Sequence, residues 1–303
     1  MNHFFGASSE QLQPPAHDCS QPALLHVGHS WGGGIDRWIH DFAAADSENW
    51  NLLLRSRTGR NAAGVRLELV DLAANDDLLL AWDLDPPIPC TAIGHDQYRR
   101  ILDEIIGQFG VGAVLVSSLI GHALEMLDID LPQVLVLHDF APFCPALFAW
   151  FGKPCVKCDG GDLGRCLTRN PLNLFWYRDD PDEWLALREA YAVRIARDTV
   201  RVAAPGRAIH ERYADLFPVL GDKPWHLIAH GLRNELRPPA QEPANEFGRT
   251  VREPEERLRL LVPARLAPHK GLYLFNAILP EVVEFADVLL LGCGEFGLSL
   301  IHI

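Results

Sequence analysis

Residues 24–42 read LLHVGHSWGGGIDRWIHDF and contain the pattern that best predicts the fold. A short apolar run comes first, glycines stand at positions 28, 32, 33 and 34, and a stretch of helical periodicity follows. This order predicts a strand, a tight turn and a helix. Because Gly32, Gly33 and Gly34 carry no Cβ, their backbone can approach a ligand closely, and the N–H groups that open the helix favour an anion. A flexible loop without a ligand is the alternative interpretation.

The alternation of strand and helix continues beyond this stretch. Helical periodicity predicts helices over residues 35–45, 96–109, 181–197 and 207–217, and a short helix over residues 122–127. Apolar or alternating runs predict strands over residues 50–54, 65–72, 112–117, 133–137, 199–203 and 225–229. Repeated βα alternation is typical of α/β proteins with a doubly wound, mostly parallel sheet. We therefore expect a Rossmann-like domain.

His138 and Asp139 directly follow the predicted strand over residues 133–137. Doubly wound sheets bind ligands at the carboxyl ends of their strands, where the glycine turn of residues 32–34 is also expected. The two features together make His138 and Asp139 candidate catalytic residues. A structural turn is the alternative role for a histidine that follows a strand.

Composition restricts the classes of partner. The 303 residues are 48% hydrophobic and 22% charged, which is typical of a globular protein. The net charge of −13 repels nucleic-acid phosphates and anionic lipids unless basic residues cluster locally, and the sequence contains no polybasic block. We therefore expect no nucleic-acid partner.

The sequence also carries predictions about location. Residues 1–22 are polar with three prolines, which favours a disordered lead-in over a secretory signal and so a cytoplasmic protein. The most apolar long stretch, residues 111–127, is interrupted by Ser117, Ser118, His122 and Glu125, so we expect no transmembrane segment. Peripheral contact with the inner face of a membrane stays open.

Four of the seven cysteines, Cys144, Cys155, Cys158 and Cys166, crowd into one predicted loop over residues 140–173. A loop of this length needs a stabilising element, and four thiolates can hold a tetrahedral zinc ion in place of a hydrophobic core. The four cysteines are therefore candidate ligands of a structural zinc. Reduced thiols and partial disulfide bonding are the alternatives, and a catalytic thiol is less favoured than either.

The predicted domain boundaries follow from composition. Residues 23–232 form the first domain, residues 233–257 are rich in proline and charge and read as a linker, and residues 258–297 open a second βαβ domain. About sixty residues are too few to complete a doubly wound domain. The last six residues, LSLIHI, resemble the translation of a sequencing adapter, so we expect residues 298–303 to be artefactual and the chain to be a fragment of a longer gene product.

Five motifs in this order resemble a known family: Gly32-Gly33-Gly34, His138-Asp139, His230-Gly231, Arg265 to Lys270-Gly271, and Gly292-Cys293-Gly294-Glu295. Together they resemble the retaining GT-B glycosyltransferases related to glycogen synthase, called family four. The resemblance covers residues 24–294 and includes only the opening of the second domain. It implies two facing Rossmann-like domains, the first binding the acceptor and the second the nucleotide-sugar donor. The cysteine-rich loop resembles a subset of these enzymes from polysaccharide and O-antigen clusters.

The resemblance also implies residue roles. Arg265 and Lys270 would clamp the donor diphosphate, Gly33 and Gly34 would approach the same phosphates from the other wall, and His138 would lie by the donor sugar. The remaining donor-side candidates are His230, Gly231, Gly292, Gly294 and Glu295. Fixed cations and N–H dipoles can stabilise a departing diphosphate without a metal, so no catalytic cofactor is implied. The acceptor would be a glycan or a lipid-linked glycan.

The sequence also departs from the family. Ala264 stands where glycine is usual, and Gly206 and Cys293 replace commoner residues. The paired-glutamate motif that grips the donor in this family does not occur within the 303 residues. A nucleotide-dependent oxidoreductase or epimerase is an alternative, although Gly28 and Gly32 do not fit Gly-x-Gly-x-x-Gly and Arg55 follows the second strand. An inactive, non-catalytic fragment stapled by zinc is the third hypothesis.

Overall fold

The computed structural model describes residues 21–231, 257–262 and 270–290. The chain divides into two compact units, residues 1–233 and residues 234–303. Most of the expected lead-in, most of the expected linker and the tail over residues 298–303 lie outside the described residues.

An eight-stranded sheet forms the centre of the first unit. Its strands are β1 (Ala23–His29), β2 (Trp50–Arg57), β3 (Gly64–Asp71), β4 (Asp77–Ile88), β5 (Val111–Val116), β6 (Gln133–Val136), β9 (Val200–Ala204) and β10 (Trp225–Leu227), while β7 (Trp150–Phe151) and β8 (Lys153–Pro154) form a separate hairpin. The order across the sheet is β10-β9-β6-β5-β1-β2-β3-β4. All neighbours from β10 to β2 pair in parallel, and β3 and β4 pair antiparallel. The prediction of a mostly parallel α/β fold is confirmed.

Helices cover both faces of this sheet. They are α1 (Gly34–Ala45), α2 (Asp96–Phe109), α3 (Gly160–Arg169), α4 (Pro181–Ile195) and α5 (Arg207–Leu216), with 3-10 turns at Leu124–Asp128 and Pro218–Leu220. The larger core packs Tyr98 of α2 and Trp184 of α4 against β1 and its neighbours. The smaller core lies on the other face, where Trp38 and Ile39 of α1 pack on Leu53. Helix α1, which opens at the glycine turn, is therefore held by apolar burial.

Helix α2 shows how local sequence fixes an element. His95 precedes it with extended backbone, and its ring nitrogen Nδ1 accepts a hydrogen bond from the Tyr98 N–H at 3.2 Å. Gly110 ends the helix in the left-handed conformation at φ 62°. A side-chain acceptor at the start and a glycine at the end satisfy the orphan backbone groups of a helix. The predicted bounds of residues 96–109 are confirmed.

Three stretches differ from the sequence predictions. Residues 77–88 form the edge strand β4, which the sequence does not predict because Pro86 and Pro87 argue against a strand, although an edge strand tolerates them. The predicted loop over residues 140–173 contains the hairpin β7–β8 and helix α3. The predicted helix over residues 122–127 is a 3-10 turn, Leu124–Asp128.

The described part of the second unit is one βαβ element. Strands β11 (Leu258–Val262) and β12 (Ala286–Leu290) pair in parallel, and α6 (Leu272–Phe285) connects them. Gly271 precedes α6 in the left-handed conformation at φ 85°. None of the side chains of α6 is buried among the described residues. The unit thus shows the expected βαβ order.

Candidate functional site

The site lies at the carboxyl edge of the parallel sheet, where the strand order reverses. The chain moves from β1 to β2 on one side, and returns to β5 and then β6 on the other. Such a reversal leaves a crevice at the strand ends, in which α/β proteins bind ligands. The turns after β1 and β5 meet here, because the N–H groups of Ser117 and Ser118 both donate to Val27 O, at 2.9 and 3.2 Å.

The glycine turn after β1 is open to a ligand. Gly32 and Gly33 have positive φ angles of 70° and 83°, which residues other than glycine rarely adopt. A Cβ added to Gly32, Gly33 or Gly34 would meet no atom of the described chain within 4 Å. Gly33 is the N-cap residue of α1 and has no side chain that could accept a hydrogen bond. No capping side chain therefore pairs with the N–H groups in the first turn of α1. These features favour an anion at this turn.

An acidic residue in the first turn of α1 weakens the attraction of this helix start for an anion. Asp36 would repel an anion, but the Nδ1 atom of His40 lies 3.8 Å from its Oδ1. Although burial of His40 opposes it, hydrogen bonds to Asp36 and Asp76 raise the pKa of this histidine. His40 is therefore protonated more readily than a free imidazole and offsets part of the Asp36 charge.

The end of β1 is fixed by a buried histidine. His122 donates from Nε2 to Gly28 O at 2.7 Å, and its Nδ1 accepts the Tyr98 hydroxyl at 2.9 Å. Burial lowers the pKa of His122 to about 4, so the ring is neutral at pH 7 and this tautomer satisfies both bonds. Gly28 itself allows close packing, since a Cβ there would lie 3.0 Å from Ile39 Cδ1. The strand end and α1 are therefore held rigidly.

His29 and Trp31 form an aromatic wall beside the glycine turn. Their ring centroids lie 4.8 Å apart, and the Trp31 N–H donates to His29 Nδ1 at 3.3 Å. The Trp31 indole N–H donates to Thr58 Oγ1 at 2.6 Å, which fixes the ring while leaving it 40% exposed. Burial lowers the pKa of His29 to about 4. The exposed indole offers an apolar surface for a sugar ring or a base.

His138 follows β6 at the same edge and contacts α1. Its ring packs edge-on against Trp38 of α1, with 4.9 Å between centroids, and stacks with His230 at 6.0 Å. Burial, together with the neighbouring His230 and His29, lowers the pKa of His138 to about 4. At pH 7 the ring is therefore neutral, and it can donate or accept a hydrogen bond but does not act as a cation.

Asp139 stabilises the turn that follows. Its Oδ1 accepts a hydrogen bond from the Ala141 N–H at 2.8 Å. Burial raises the pKa of Asp139 to about 6, and the Ala141 bond opposes that shift. A carboxyl with this pKa exchanges protons near neutral pH, as a general acid or base requires. The candidate catalytic role of Asp139 stays a prediction.

Two buried polar atoms at this edge lack a hydrogen-bond partner within the described chain. They are Nε2 of His138 and Oγ of Ser117. Buried polar groups are nearly always paired, so each orphan needs an explanation such as a ligand or an ordered water. We name Gly32, Gly33, Gly34, Ser117 and His138 the sheet-edge site.

The structure brings together only part of the predicted site. His138 lies beside α1 through Trp38 and beside His230 through ring stacking. Gly231 follows in the same unit and is exposed. Lys270 is exposed at the start of α6 in the second unit. Arg265, Gly292, Gly294 and Glu295 lie outside the described residues.

The four predicted zinc ligands line a single cavity of about 300 Å³ in the first unit. All four, Cys144, Cys155, Cys158 and Cys166, are free thiols. Within residues 21–231, 257–262 and 270–290, no three or more His, Cys, Asp or Glu side chains form a ready-made metal-binding group. We name this region the four-cysteine cavity.

Comparisons with protein-family models, with curated proteins and with solved structures found no match to this chain. None of the described helices has both the length and the apolar character needed to span a membrane. Function must therefore be inferred from the chemistry of the site.

Sequence reasoning missed several residues of the sheet edge. His29 and Trp31 stand within the opening stretch, and their place next to the glycines is the available signal. At Ser117 the sequence indicates only the end of a strand, and its orphaned hydroxyl becomes visible only in three dimensions. His122 carries no signal, because its partner Gly28 is distant in sequence.

Proposed function

We propose that this protein is a retaining, metal-independent glycosyltransferase of the GT-B type. It transfers a sugar from a nucleotide-sugar donor to a glycan or a lipid-linked glycan, as in polysaccharide or O-antigen synthesis. The resemblance assigns the acceptor side and the glycine turn to residues 23–232, and it assigns Arg265 and Lys270 to the donor diphosphate. The proposed location is the cytoplasm, at the inner face of a membrane where the acceptor is lipid-linked.

The observation that carries the proposal is the orphaned Nε2 of His138 beside the uncapped opening of α1. A neutral imidazole with one free nitrogen suits a sugar hydroxyl, which both donates and accepts hydrogen bonds. An open glycine turn at a helix start suits a phosphate. A nucleotide sugar contains both groups in one molecule.

The chemistry follows from how charge develops. When the bond between the sugar and the diphosphate breaks, the departing diphosphate gains negative charge. The first-turn N–H groups of α1 are fixed dipoles that stabilise such charge without reorganisation. Arg265 would add a bidentate fork and Lys270 a mobile point charge. His138 would hold the sugar by a hydrogen bond that needs no change of protonation.

The proposal is tested with the purified full-length gene product and a panel of nucleotide sugars. Donor hydrolysis and transfer to glycan acceptors are measured together with calorimetric binding of UDP, GDP and ADP. Arg265→Ala and Lys270→Ala are expected to lower the rate and weaken diphosphate binding. Arg259→Ala is the matched control, since Arg259 is an exposed cation on β11 of the same unit. Unchanged rates in the Arg265 and Lys270 variants would show that the assigned clamp is wrong.

The oxidoreductase or epimerase alternative has its own test. The β2 end carries Arg55 and Arg57 rather than an acid, and Glu68 holds both, at 3.0 and 2.8 Å. A dinucleotide site usually offers a free acid to the ribose, or a free arginine to a 2′-phosphate. We expect weak or no binding of NAD and NADP in a fluorescence titration. Tight binding of either, without binding of nucleotide sugars, would replace the proposed function.

A further inference from the structure

The four-cysteine cavity is built from three short elements. Cys144 lies in the turn after His138 and Asp139, and Cys155 directly follows the hairpin β7–β8. Cys158 immediately precedes Asp159, the residue whose Oδ1 accepts the Asp162 N–H at the start of α3. Cys166 lies within α3 on its buried face. Successive elements within residues 144–166 thus present four thiols to one cavity of about 300 Å³.

Two of the four sulfurs accept a side-chain hydrogen bond. Asn170 Nδ2 donates to Cys166 Sγ at 3.2 Å, and Arg188 Nη2 donates to Cys158 Sγ at 3.1 Å. Burial raises the pKa of the Cys144 and Cys155 thiols, and the backbone of Ala146 and Ala149 at Cys144 and of Phe151 at Cys155 opposes that shift in part. A neutral thiol is a weak acceptor, whereas a metal-bound thiolate is stabilised by such donors. Burial raises the pKa of the Cys166 thiol as well, so a bound cation is needed to stabilise the thiolates of Cys144, Cys155 and Cys166.

Arg188 supplies an independent indication. Its side chain is buried, and its guanidinium donates to Phe143 O at 2.8 Å, to Cys158 O at 3.1 Å and to Cys158 Sγ. Within the described chain it forms no salt bridge with a carboxylate. A buried cation normally has an anionic partner, because burying an unpaired charge is costly. The sulfur of Cys158 is in position to carry that negative charge.

Further cations surround the cavity. Lys153, Lys157 and Arg165 line it, while its one acidic lining residue, Asp162, pairs with Arg165. A divalent cation bound by four thiolates carries a net charge of −2, which these residues offset. Of these three cations, Lys157 pairs with Asp159 and Arg165 with Asp162, so Lys153 and the buried Arg188 are the cations that such a charge would balance. Charge and hydrogen bonding thus point to the same occupied state.

We propose that Cys144, Cys155, Cys158 and Cys166 bind one Zn²⁺ as four thiolates. Binding releases four thiol protons and forms four Zn–S bonds of about 2.3 Å in tetrahedral arrangement. The sulfurs must draw closer than they stand around the open cavity. The ion would tie the turn that follows His138 to helix α3, in addition to the apolar contacts that already bury Phe143 and Leu163. Zinc binding here does not depend on the proposed glycosyl transfer.

The experiment measures metal in the full chain, purified without chelator. Zinc and iron per chain are determined by mass spectrometry, and Co²⁺ is exchanged for the bound ion as a spectroscopic probe. We expect about one zinc per chain and, with Co²⁺, the thiolate charge-transfer and visible bands of tetrahedral sulfur coordination. Iron with the absorption of an iron–sulfur centre would overturn the assignment to zinc.

Two variants test the ligand set. Cys155→Ser replaces a partly exposed ligand and is expected to remove stoichiometric zinc and the cobalt bands. Cys90→Ser is the matched control, because Cys90 is a free, buried thiol that does not line the cavity. It is expected to retain both signals. Circular dichroism of each variant reports whether the fold is preserved.

Wild-type measurements keep the proposal refutable even if the Cys155 variant fails to fold. In a native thiol titration, four cysteines are expected to react slowly until a chelator is added, whereas the buried Cys90 should react slowly in both conditions. Absence of zinc and of cobalt bands in reduced wild-type protein would overturn the proposal. So would disulfide bonds among these four cysteines in peptide mapping.

Discussion

The sheet-edge site and the four-cysteine cavity differ in how their polar atoms are satisfied. At the sheet edge, His138 Nε2 and Ser117 Oγ are without partners within the described chain. In the cavity, the sulfurs of Cys158 and Cys166 accept side-chain hydrogen bonds, and the buried Arg188 donates one of them. Unpaired buried polar atoms at the strand ends indicate a place for a ligand or an ordered water. Four cysteines on one cavity, two of them with side-chain donors at their sulfurs, favour a structural ion.

The electrostatics of the two regions differ as well. The sheet edge depends on neutral histidines, since burial lowers the pKa of His29, His122 and His138 to about 4. The cavity lining contains cysteines and no histidine. Because zinc binding releases thiol protons, acid should disturb both regions, whereas a chelator at constant pH should disturb the cavity alone.

The largest expected effect is a loss of stability in acid. His26, His29, His122 and His138 have pKa values lowered to about 4 by burial, against an ordinary value of 6.5. The contribution of these histidines to the free energy of unfolding is complete above pH 6.5. It is lost as pH falls toward 4, because between these pH values the unfolded chain binds more protons than the folded chain. We expect the free energy of unfolding to fall by on the order of 5 kcal/mol between pH 7 and pH 5. Urea unfolding in chelator, at several pH values, measures it.

Asp139→Asn sharpens this prediction, because Asp139 changes the stability with pH in the direction opposite to the four histidines. Burial raises the pKa of Asp139 from 3.8 to about 6, so its contribution is present below pH 3.8 and is lost as pH rises through 6. The variant keeps an oxygen that can accept the Ala141 N–H, and should be more stable than wild type at pH 7.5. Its loss of stability in acid should also be steeper. Parallel curves for the two proteins would contradict both assigned shifts.

The second effect is the response to chelation at pH 7.5. A ligand present at a thousand times its Kd stabilises the folded state by about 4 kcal/mol. Removing the zinc is therefore expected to lower Tm by on the order of 10 °C, measured by calorimetry. The Tm of Cys90→Ser should fall as much as that of wild type when chelator is added, whereas the Tm of Cys155→Ser should not change. An equal Tm with and without chelator would remove the distinction between the two regions.

The third effect concerns His138. His138→Asn is expected to lower sugar transfer about 100-fold, as losing one aligned hydrogen-bonding group typically does. The matched control is His226→Asn, an exposed histidine on β10. The ratio of the wild-type rate to the His138→Asn rate should be constant between pH 6 and pH 8, because the pKa of His138 is about 4 and its ring stays neutral. Equal activity of both variants would show that the orphaned nitrogen has no role in the reaction.

Much of the fold can be predicted from sequence because its signals are local. Helix α2 has apolar residues at helical spacing and recognisable ends, so its bounds are predicted correctly. Strand β4 is missed because Pro86 and Pro87 are acceptable only at a sheet edge, and its edge position is a tertiary fact. Helix α3 begins with Gly160 and Gly161, poor helix formers that mask the spacing of its buried face.

The site is predictable only in part for the same reason. Glycines 32–34 and His138 can be identified, since a turn and a strand end are visible in sequence. That His138 packs on Trp38, and that its Nε2 has no partner within the described chain, depends on the crossing of α1 over the sheet. Arg188 gives no signal either, because its contacts with Phe143 and Cys158 join distant parts of the chain.

The smallest expected effect tests the glycine turn without disturbing the fold. Gly34 opens α1, is free of the positive φ that constrains Gly32 and Gly33, and has open space where a Cβ would stand, with no described atom within 4 Å. Gly34→Ala should therefore fold and gain up to about 1 kcal/mol of helix stability. Its methyl group should nevertheless obstruct a phosphate and weaken nucleoside diphosphate binding about tenfold, or 1.4 kcal/mol.

Gly107→Ala in α2 is the matched control, because a Cβ there would also meet no described atom within 4 Å, and α2 contributes no residue to the sheet-edge site. It should gain similar stability and bind the nucleotide like wild type. Calorimetric titration and thermal unfolding of both variants separate the two outcomes. If Gly34→Ala binds as tightly as Gly107→Ala, the open space at the turn is not where the phosphate lies, and the contrast with the cavity would depend on His138 and Ser117 alone.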